Sequence, residues 1–300
     1  MVCCLPLCRA LARKHPDKTI VLVTRSEYIA LARMSPDLLH VLNFPSAGVE
    51  MKSVYGWYVS DVVNPTAVED ALPPRPFSDY RIHLVDAFLT NAGLEPNREP
   101  YTLRPPAELR REIEQRLGLA QASGRKILIH TGRTWPIREW PEAYWKKLID
   151  ALHARYDVTI YHLCSPNRSR GEPMPVFDLP GTILVPDPLS PEMTAALIGS
   201  VDLMIGLDSG PIHLAGAIGI PQIGIFGPTL PELRMQLNER SRGVHRDLPC
   251  IGCHHRPPII HWYNGCPHDI ACMKQLDPST VFQAVKDVLA KLSPTSSLNK

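Results

Sequence analysis

Apolar positions along the chain recur in two rhythms. Residues 5 to 14, Leu-Pro-Leu-Cys-Arg-Ala-Leu-Ala-Arg-Lys, have helical spacing, whereas Thr19-Ile-Val-Leu-Val-Thr24 is a short β-branched run of the kind buried in a parallel sheet. Helix then strand predicts an α/β layer whose first element is a helix, one strand later than such layers usually begin. From 43 to 82, Pro, Gly and aromatic residues break any period and predict no element. His83 to Gly93 predicts a helix closed by glycine, and Glu95 to Pro100 a connector. Beyond residue 106 the signal sharpens: a charged amphipathic helix to Leu119, a strand Lys126-Ile-Leu-Ile-His130, and a helix from Glu142 to about Tyr156. Four apolar runs follow, Val158 to Leu163, Thr182 to Val185, Leu203 to Gly206 and Gln222 to Phe226, with helical stretches or loops between them. This alternation predicts a doubly wound parallel sheet. Ligands of such sheets sit beyond the carboxyl ends of the strands, so the loops after 130, 163, 185, 206 and 226 are where chemistry is expected.

Bulk properties narrow the options further. In 300 residues, 32 Lys and Arg stand against 30 Asp and Glu, and a net charge of +2 supplies no field that would call for nucleic acid or an anionic membrane. An anionic ligand must therefore be held by a local cluster. No run of 18 apolar residues occurs, and Met1 to Pro6 is too short for a signal peptide, which points to the cytoplasm. The expected organisation is a domain over 1–105 and a second over 106–300, the latter with a cysteine-rich loop at 250–272 and a terminal helix.

Three stretches carry candidate chemistry. After the strand ending near Leu207 comes Asp208-Ser-Gly-Pro-Ile-His213, then the small residues Ala215, Gly216 and Ala217. Ser209 and Gly210 can open a helix whose free N–H groups bind phosphate, Gly210 allows close approach, and Pro211 suits the first turn. The plainer alternative is that Asp208 or Ser209 caps a buried helix and His213 is a core histidine. The second stretch, Ile129-His-Thr-Gly-Arg-Thr-Trp-Pro-Ile-Arg-Glu-Trp140, holds Arg133 and Arg138, whose guanidinium groups suit diphosphate oxygens; its alternative is a solvated loop with packing tryptophans. In the third, Leu189 stands ahead of a helix cap, either as a surface for a base or as a staple to the helix.

Together these phrases resemble the donor domain of glycosyltransferase family 9, the lipopolysaccharide heptosyltransferases. The similarity runs through Ile127 to Gly132, Arg138-Glu-Trp-Pro141, Asp208 to Ala215, and Ile220-Pro-Gln-Ile-Gly-Ile-Phe-Gly-Pro-Thr229. The resemblance implies a GT-B fold of two Rossmann-like domains facing a cleft, the first lacking its initial strand. It implies inverting transfer of a sugar, a heptose above all, from ADP-heptose or a relative to a glycan or lipid-linked glycan acceptor such as lipopolysaccharide core. No cofactor is required for catalysis, and membrane contact is at most peripheral, at the inner face. Position by position, Gly132 and Arg133 line the donor phosphates, Arg138 stands where the family has a cationic lysine, and Leu189 lies at the nucleobase. Asp208, Ser209, Gly210 and His213 hold the diphosphate and donor sugar. Arg168 aligns where the family carries a glutamate for the ribose. The family's presumed base, an aspartate after a first strand, has no counterpart in residues 1 to 6 and is expected before Met1. Two rival readings use the same donor cradle, a nucleotide-sugar epimerase and an inactive nucleotide-sugar-binding protein.

Cys250-Ile-Gly-Cys253, then Cys266 and Cys272, bring four soft ligands into 23 residues with histidines between them. The first pair has metal-knuckle spacing, so a structural Zn or Fe site is expected; free buried thiols and disulfides are the alternatives.

Overall fold

The computed structural model describes residues 2–36, 40–43, 82–97, 100–132, 136–164, 176–186, 189–255 and 265–292. The stretch 44–81, for which the pattern predicts no element, lies outside them, as do Arg133 and Arg168. The chain divides into two compact units, Met1–Arg104 and Pro105–Lys300.

In the first unit a 3-10 turn, Val2–Cys4, leads into helix α1 (Leu5–Lys14), and strand β1 (Val21–Thr24), helix α2 (Ile29–Ala32), strand β2 (His40–Asn43) and helix α3 (Leu84–Asn91) follow. The β-branched run thus pairs from Val21 onward, with Val21 opposite His40 in a parallel register. Leu5, Leu7, Leu31, Val85, Leu89, Tyr101 and Leu103 are among the unit's buried apolar residues, and Cys3 Sγ lies 3.7 Å from Tyr101 Oη.

The second unit begins with helix α4 (Ala107–Leu117) and continues as strand β3 (Arg125–His130), helix α5 (Glu142–Arg155), strands β4 (Val158–Leu163) and β5 (Thr182–Leu184), and helix α6 (Pro191–Ile198). Strand β6 (Leu203–Leu207), helix α7 (Gly210–Ile218), strand β7 (Gln222–Ile225), helix α8 (Pro231–Arg234), strand β8 (Ser241–Val244), and helices α9 (Ala271–Lys274) and α10 (Pro278–Leu289) complete it. All six strands are parallel, in the order β5-β4-β3-β6-β7-β8. Chain order runs outward in both directions from the β3/β6 pair. That pair is the topological switch point, where the loops leaving two adjacent strands diverge to opposite faces and open a crevice.

The core explains how Arg138 is held. Trp140 and Trp145 are fully buried, edge to face at 5.0 Å, and Trp140 Nε1 donates to the carbonyl of Leu276 at 2.9 Å. Around them pack Ile127, Ile129 and Ile205 from the sheet and Val281, Val285 and Val288 from α10. An indole with its one polar atom satisfied is a firm anchor. It presents Arg138, at the end of the 3-10 turn Pro136–Arg138, to the switch point.

Candidate donor site at the switch point

Asp208 follows β6 directly and is buried, 7% exposed. Thr229 Oγ1 donates to its Oδ2 at 2.6 Å, Arg138 Nη1 lies 3.5 Å from the same oxygen, and His213 Nε2 lies 3.5 Å from Oδ1. Arg138 Nη1 also donates to the backbone carbonyl of Asp208 at 3.1 Å. Burial alone would raise the carboxyl pKa, but the hydrogen bond with His213 and the charges of Arg138, His213 and Arg234 outweigh it and hold the pKa well below the usual range. Asp208 is therefore a carboxylate around which the loop after β3, the first turn of α7 and the loop after β7 are assembled. Burial works against the Arg138 guanidinium, with Asp208 offsetting it and Arg234 adding to it.

Ser209, at the N-cap of α7, makes no side-chain cap hydrogen bond. Ser209 Oγ turns back instead, donating to the carbonyl of Leu207 at 3.0 Å and meeting His130 Nδ1 at 3.0 Å. Ser209 therefore does not act as the helix cap, and Gly210, the first residue of α7, is exposed at the positive end of the helix dipole. Among the described residues, apart from its chain neighbours and its own helix backbone, no atom lies within 4 Å of where a Cβ on Gly210 would stand, whereas a Cβ on Gly132 would come 2.9 Å from Leu207 Cδ1. Gly132 also has φ +82, so glycine is required there on both counts. The fold thus brings Gly132, Arg138, Asp208, Ser209, Gly210 and His213 together at the β3/β6 switch point. Leu189 is half-buried beside Ser190, whose Oγ accepts from Met193 N at 3.3 Å to cap α6.

Thr229 and Arg234 belong to the same constellation and carried no separate signal in the sequence. Thr229 closes the phrase after β7, but its bond to Asp208 depends on β6 and β7 being neighbours. His130 is a third: buried, with its pKa lowered to about 4 by burial and then by His162.

The cysteine-rich segment braces this site from behind. Gly252 N donates to Gly227 O at 3.1 Å, His254 N to Pro228 O at 2.9 Å, and Leu230 N to His255 Nε2 at 3.1 Å. Cys250, Cys253, Cys266 and Cys272 are all free in the structure. They lie near enough to disfavour one another's ionisation: burial, then Cys266 and Cys250, push Cys253 up to about 11. Among the described residues, however, no three His, Cys, Asp or Glu side chains are grouped closely enough to hold a metal ion.

Residues 96–263 match the family described as glycosyltransferase family 9 (heptosyltransferase). The chain belongs to glycosyltransferase family 9. The family assignment agrees with 28% identity over 128 residues to lipopolysaccharide heptosyltransferase 1 of Pseudomonas aeruginosa, covering 42% of this chain and 35% of that protein. The chain spans a comparable 27% and 37% of two further heptosyltransferases, from Campylobacter jejuni and Escherichia coli. Among solved structures, a family 9 glycosyltransferase of Veillonella parvula superposes with a TM-score of 0.68 at 15% identity, covering 97% of this chain and 94% of that one. TibC, an iron-containing dodecameric glycosyltransferase of enterotoxigenic E. coli, gives 0.65 at 17%, covering 97% and 74%. At these identities the likeness shows the fold, and the α/β, GT-B class expected of a family 9 chain is the one observed. No helix among the described residues is long and apolar enough to cross a membrane.

Proposed function

We propose that this family 9 chain transfers a sugar, a heptose above all, from a nucleoside-diphosphate donor to a lipopolysaccharide-core or related glycan acceptor with inversion. The observation that carries the reading is the uncapped start of α7 at the β3/β6 switch point, flanked by Arg138 and His213 on one ionised Asp208. Gly132, Ser209 and Gly210 provide close backbone approach for the diphosphate, Arg138 and His213 provide cationic and hydrogen-bonding contacts, and Asp208 aligns both. Leu189 is the proposed surface for the nucleobase, and Arg133 a further phosphate contact. The departing nucleoside diphosphate develops negative charge, which a fixed guanidinium and a helix dipole stabilise without reorganising. The names of relatives, heptosyltransferases acting on lipopolysaccharide and a TibC complex with ADP-D-beta-D-heptose, support heptose as the sugar and ADP-heptose as the first donor to try. The proposal places the reaction in the cytoplasm, with at most peripheral contact at the inner membrane face where a lipid-linked acceptor is presented.

Cys250, Cys253, Cys266 and Cys272 are proposed to bind a structural Zn or Fe ion. The four-sulfur donor set suits either metal, and the thiols' mutual influence supports the reading, but binding requires the four sulfurs to draw closer together than they stand in the structure; a bound metal would then staple the segment that braces Gly227 to Leu230. No step of the transfer passes through it.

Incubation of the purified chain with a panel of nucleotide sugars, with and without lipid A-core acceptor, tests the function. Acceptor-dependent release of nucleoside diphosphate is the expected result; isomerised donor, or binding without turnover, would overturn transfer in favour of an epimerase or a binding protein. Elemental analysis of the same preparation is expected to show stoichiometric Zn or Fe, and a metal-free, folded chain rules the staple out.

A further inference from the structure

Arg234 closes α8, which starts just after Thr229, and the segment is fixed on both sides. Thr229 is hydrogen-bonded to Asp208 and Leu230 N to His255, while a Cβ on Gly243 would stand only 2.0 Å from Pro231 Cβ, so β8 and α8 are in close contact. The side chain is partly buried, and its Nε is a buried donor with no hydrogen-bond partner among the described residues. Such a donor is costly to leave unmet and marks a place where an acceptor is expected.

Charge points the same way. Asp208 already meets Thr229, Arg138 and His213, and Arg234 lies on the short helix α8 that begins two residues after Thr229. The charge on Arg234 adds, after larger causes, to holding the Asp208 carboxyl low and to disfavouring the charged forms of Arg138 and His254. Arg138 is paired with Asp208, whereas among the described residues no carboxylate makes an ion pair with Arg234. An anion with several acceptor oxygens in a fork-like arrangement matches it, and a diphosphate is such an anion.

We propose that Arg234 is a second guanidinium of the donor site, binding the diphosphate of the nucleotide donor together with Arg138 and the start of α7. This rests on the donor-site reading above and adds a residue that sets preference for diphosphate over monophosphate.

Calorimetric titration of the full chain with AMP, UMP and GMP and with ADP, UDP and GDP separates the two claims. The wild-type chain is expected to bind at least one diphosphate more tightly than its monophosphate. Arg234→Gln is expected to shrink that preference about tenfold to a hundredfold, as the loss of charged hydrogen bonds implies, while leaving monophosphate affinity within about threefold. If the wild-type chain binds none of the diphosphates, the donor-site reading falls and this proposal with it. If diphosphates bind and their preference survives Arg234→Gln unchanged, or if mono- and diphosphate weaken equally, Arg234 alone is overturned. Should Arg234→Gln fail to fold by circular dichroism, Arg234→Lys decides: the charge stays but the fork is lost. A preference reduced about threefold to tenfold supports the proposal and an unchanged one overturns it.

Discussion

Ser209 and His130 are locked together by the direction of one hydrogen. Ser209 Oγ lies 3.0 Å from the carbonyl of Leu207 and 3.0 Å from His130 Nδ1. A carbonyl only accepts, so the serine hydrogen points to Leu207 and the histidine must donate from Nδ1. The serine at the start of α7 is thus held from behind by two partners, on a strand whose register puts His130 opposite Gly206. Ser209→Ala leaves a buried imidazole N–H without an acceptor. The expected loss is about 1–3 kcal/mol of stability, read from the urea midpoint at pH 7.5. An unchanged midpoint excludes the bond.

Thr229 and Asp208 form the short bond of the site, 2.6 Å, between side chains 21 residues apart. Thr229→Val keeps the shape and removes one donor to a charged acceptor, at an expected cost of about 1.5–3 kcal/mol. Asp208→Asn goes further, since it removes the counter-charge of Arg138; about 3–5 kcal/mol is expected. The two are in contact and belong to one network, so the double variant should cost less than the sum of the singles. Additive losses in a denaturation cycle show that the residues do not couple.

How much of this was visible in the chain follows from what each signal depends on. The runs from Val158 to Leu163 and from Leu203 onward were legible because buried parallel strands are apolar throughout. The edge strand β8, Ser241-Arg-Gly-Val244, was not: it pairs on one side only, its single fully apolar residue is Val244, and its Gly243 answers to the closeness of Pro231. A period-based reading has no access to such a contact. Strand β2, His40-Val-Leu-Asn43, has polar ends and is too short for any period to register. At the site, Asp208 to His213 stood out because phosphate-binding helix starts use a local vocabulary of Gly, Ser and Pro. Thr229, Arg234 and His130 are common residue types, and only the adjacency of β3, β6 and β7 gives them a task.

Gly132 is the backbone position in the crevice most exposed to substitution. Its φ of +82 disfavours any side chain, and a Cβ would meet Leu207 Cδ1 at 2.9 Å. Leu207 is itself buried and hydrogen-bonded through its carbonyl to Ser209, so it yields poorly. Gly132→Ala is expected to cost about 1–3 kcal/mol and to weaken nucleoside-diphosphate binding more than a substitution of similar cost in α4, far along the chain from the crevice. Equal effects on binding at matched stability exclude a special part for this turn.

The histidines beside the site dictate how the second unit responds to acid. His130 and His162 are 4% and 1% exposed, and Thr131 Oγ1 meets His162 Nε2 at 3.0 Å. Burial, with His162 adding to it, holds His130 at about 4, and burial holds His162 at about 4. Both values lie below that of a histidine in an unfolded chain, about 6.5. The unfolded state therefore takes up protons first as the pH falls, and stability drops with it. The full contribution is present above about pH 6.5 and is lost between there and about pH 4, on the order of 3 kcal/mol for each imidazole. Asp208, held low by His213, Arg138 and Arg234, adds its own loss only below this window. Urea midpoints measured from pH 7.5 to 4.5 should fall steadily, and His162→Gln should flatten the slope by about one proton while leaving the remaining dependence to His130 and its neighbours. A wild-type stability that is level across this range, or a slope that His162→Gln leaves untouched, is incompatible with these histidines being buried in their neutral form.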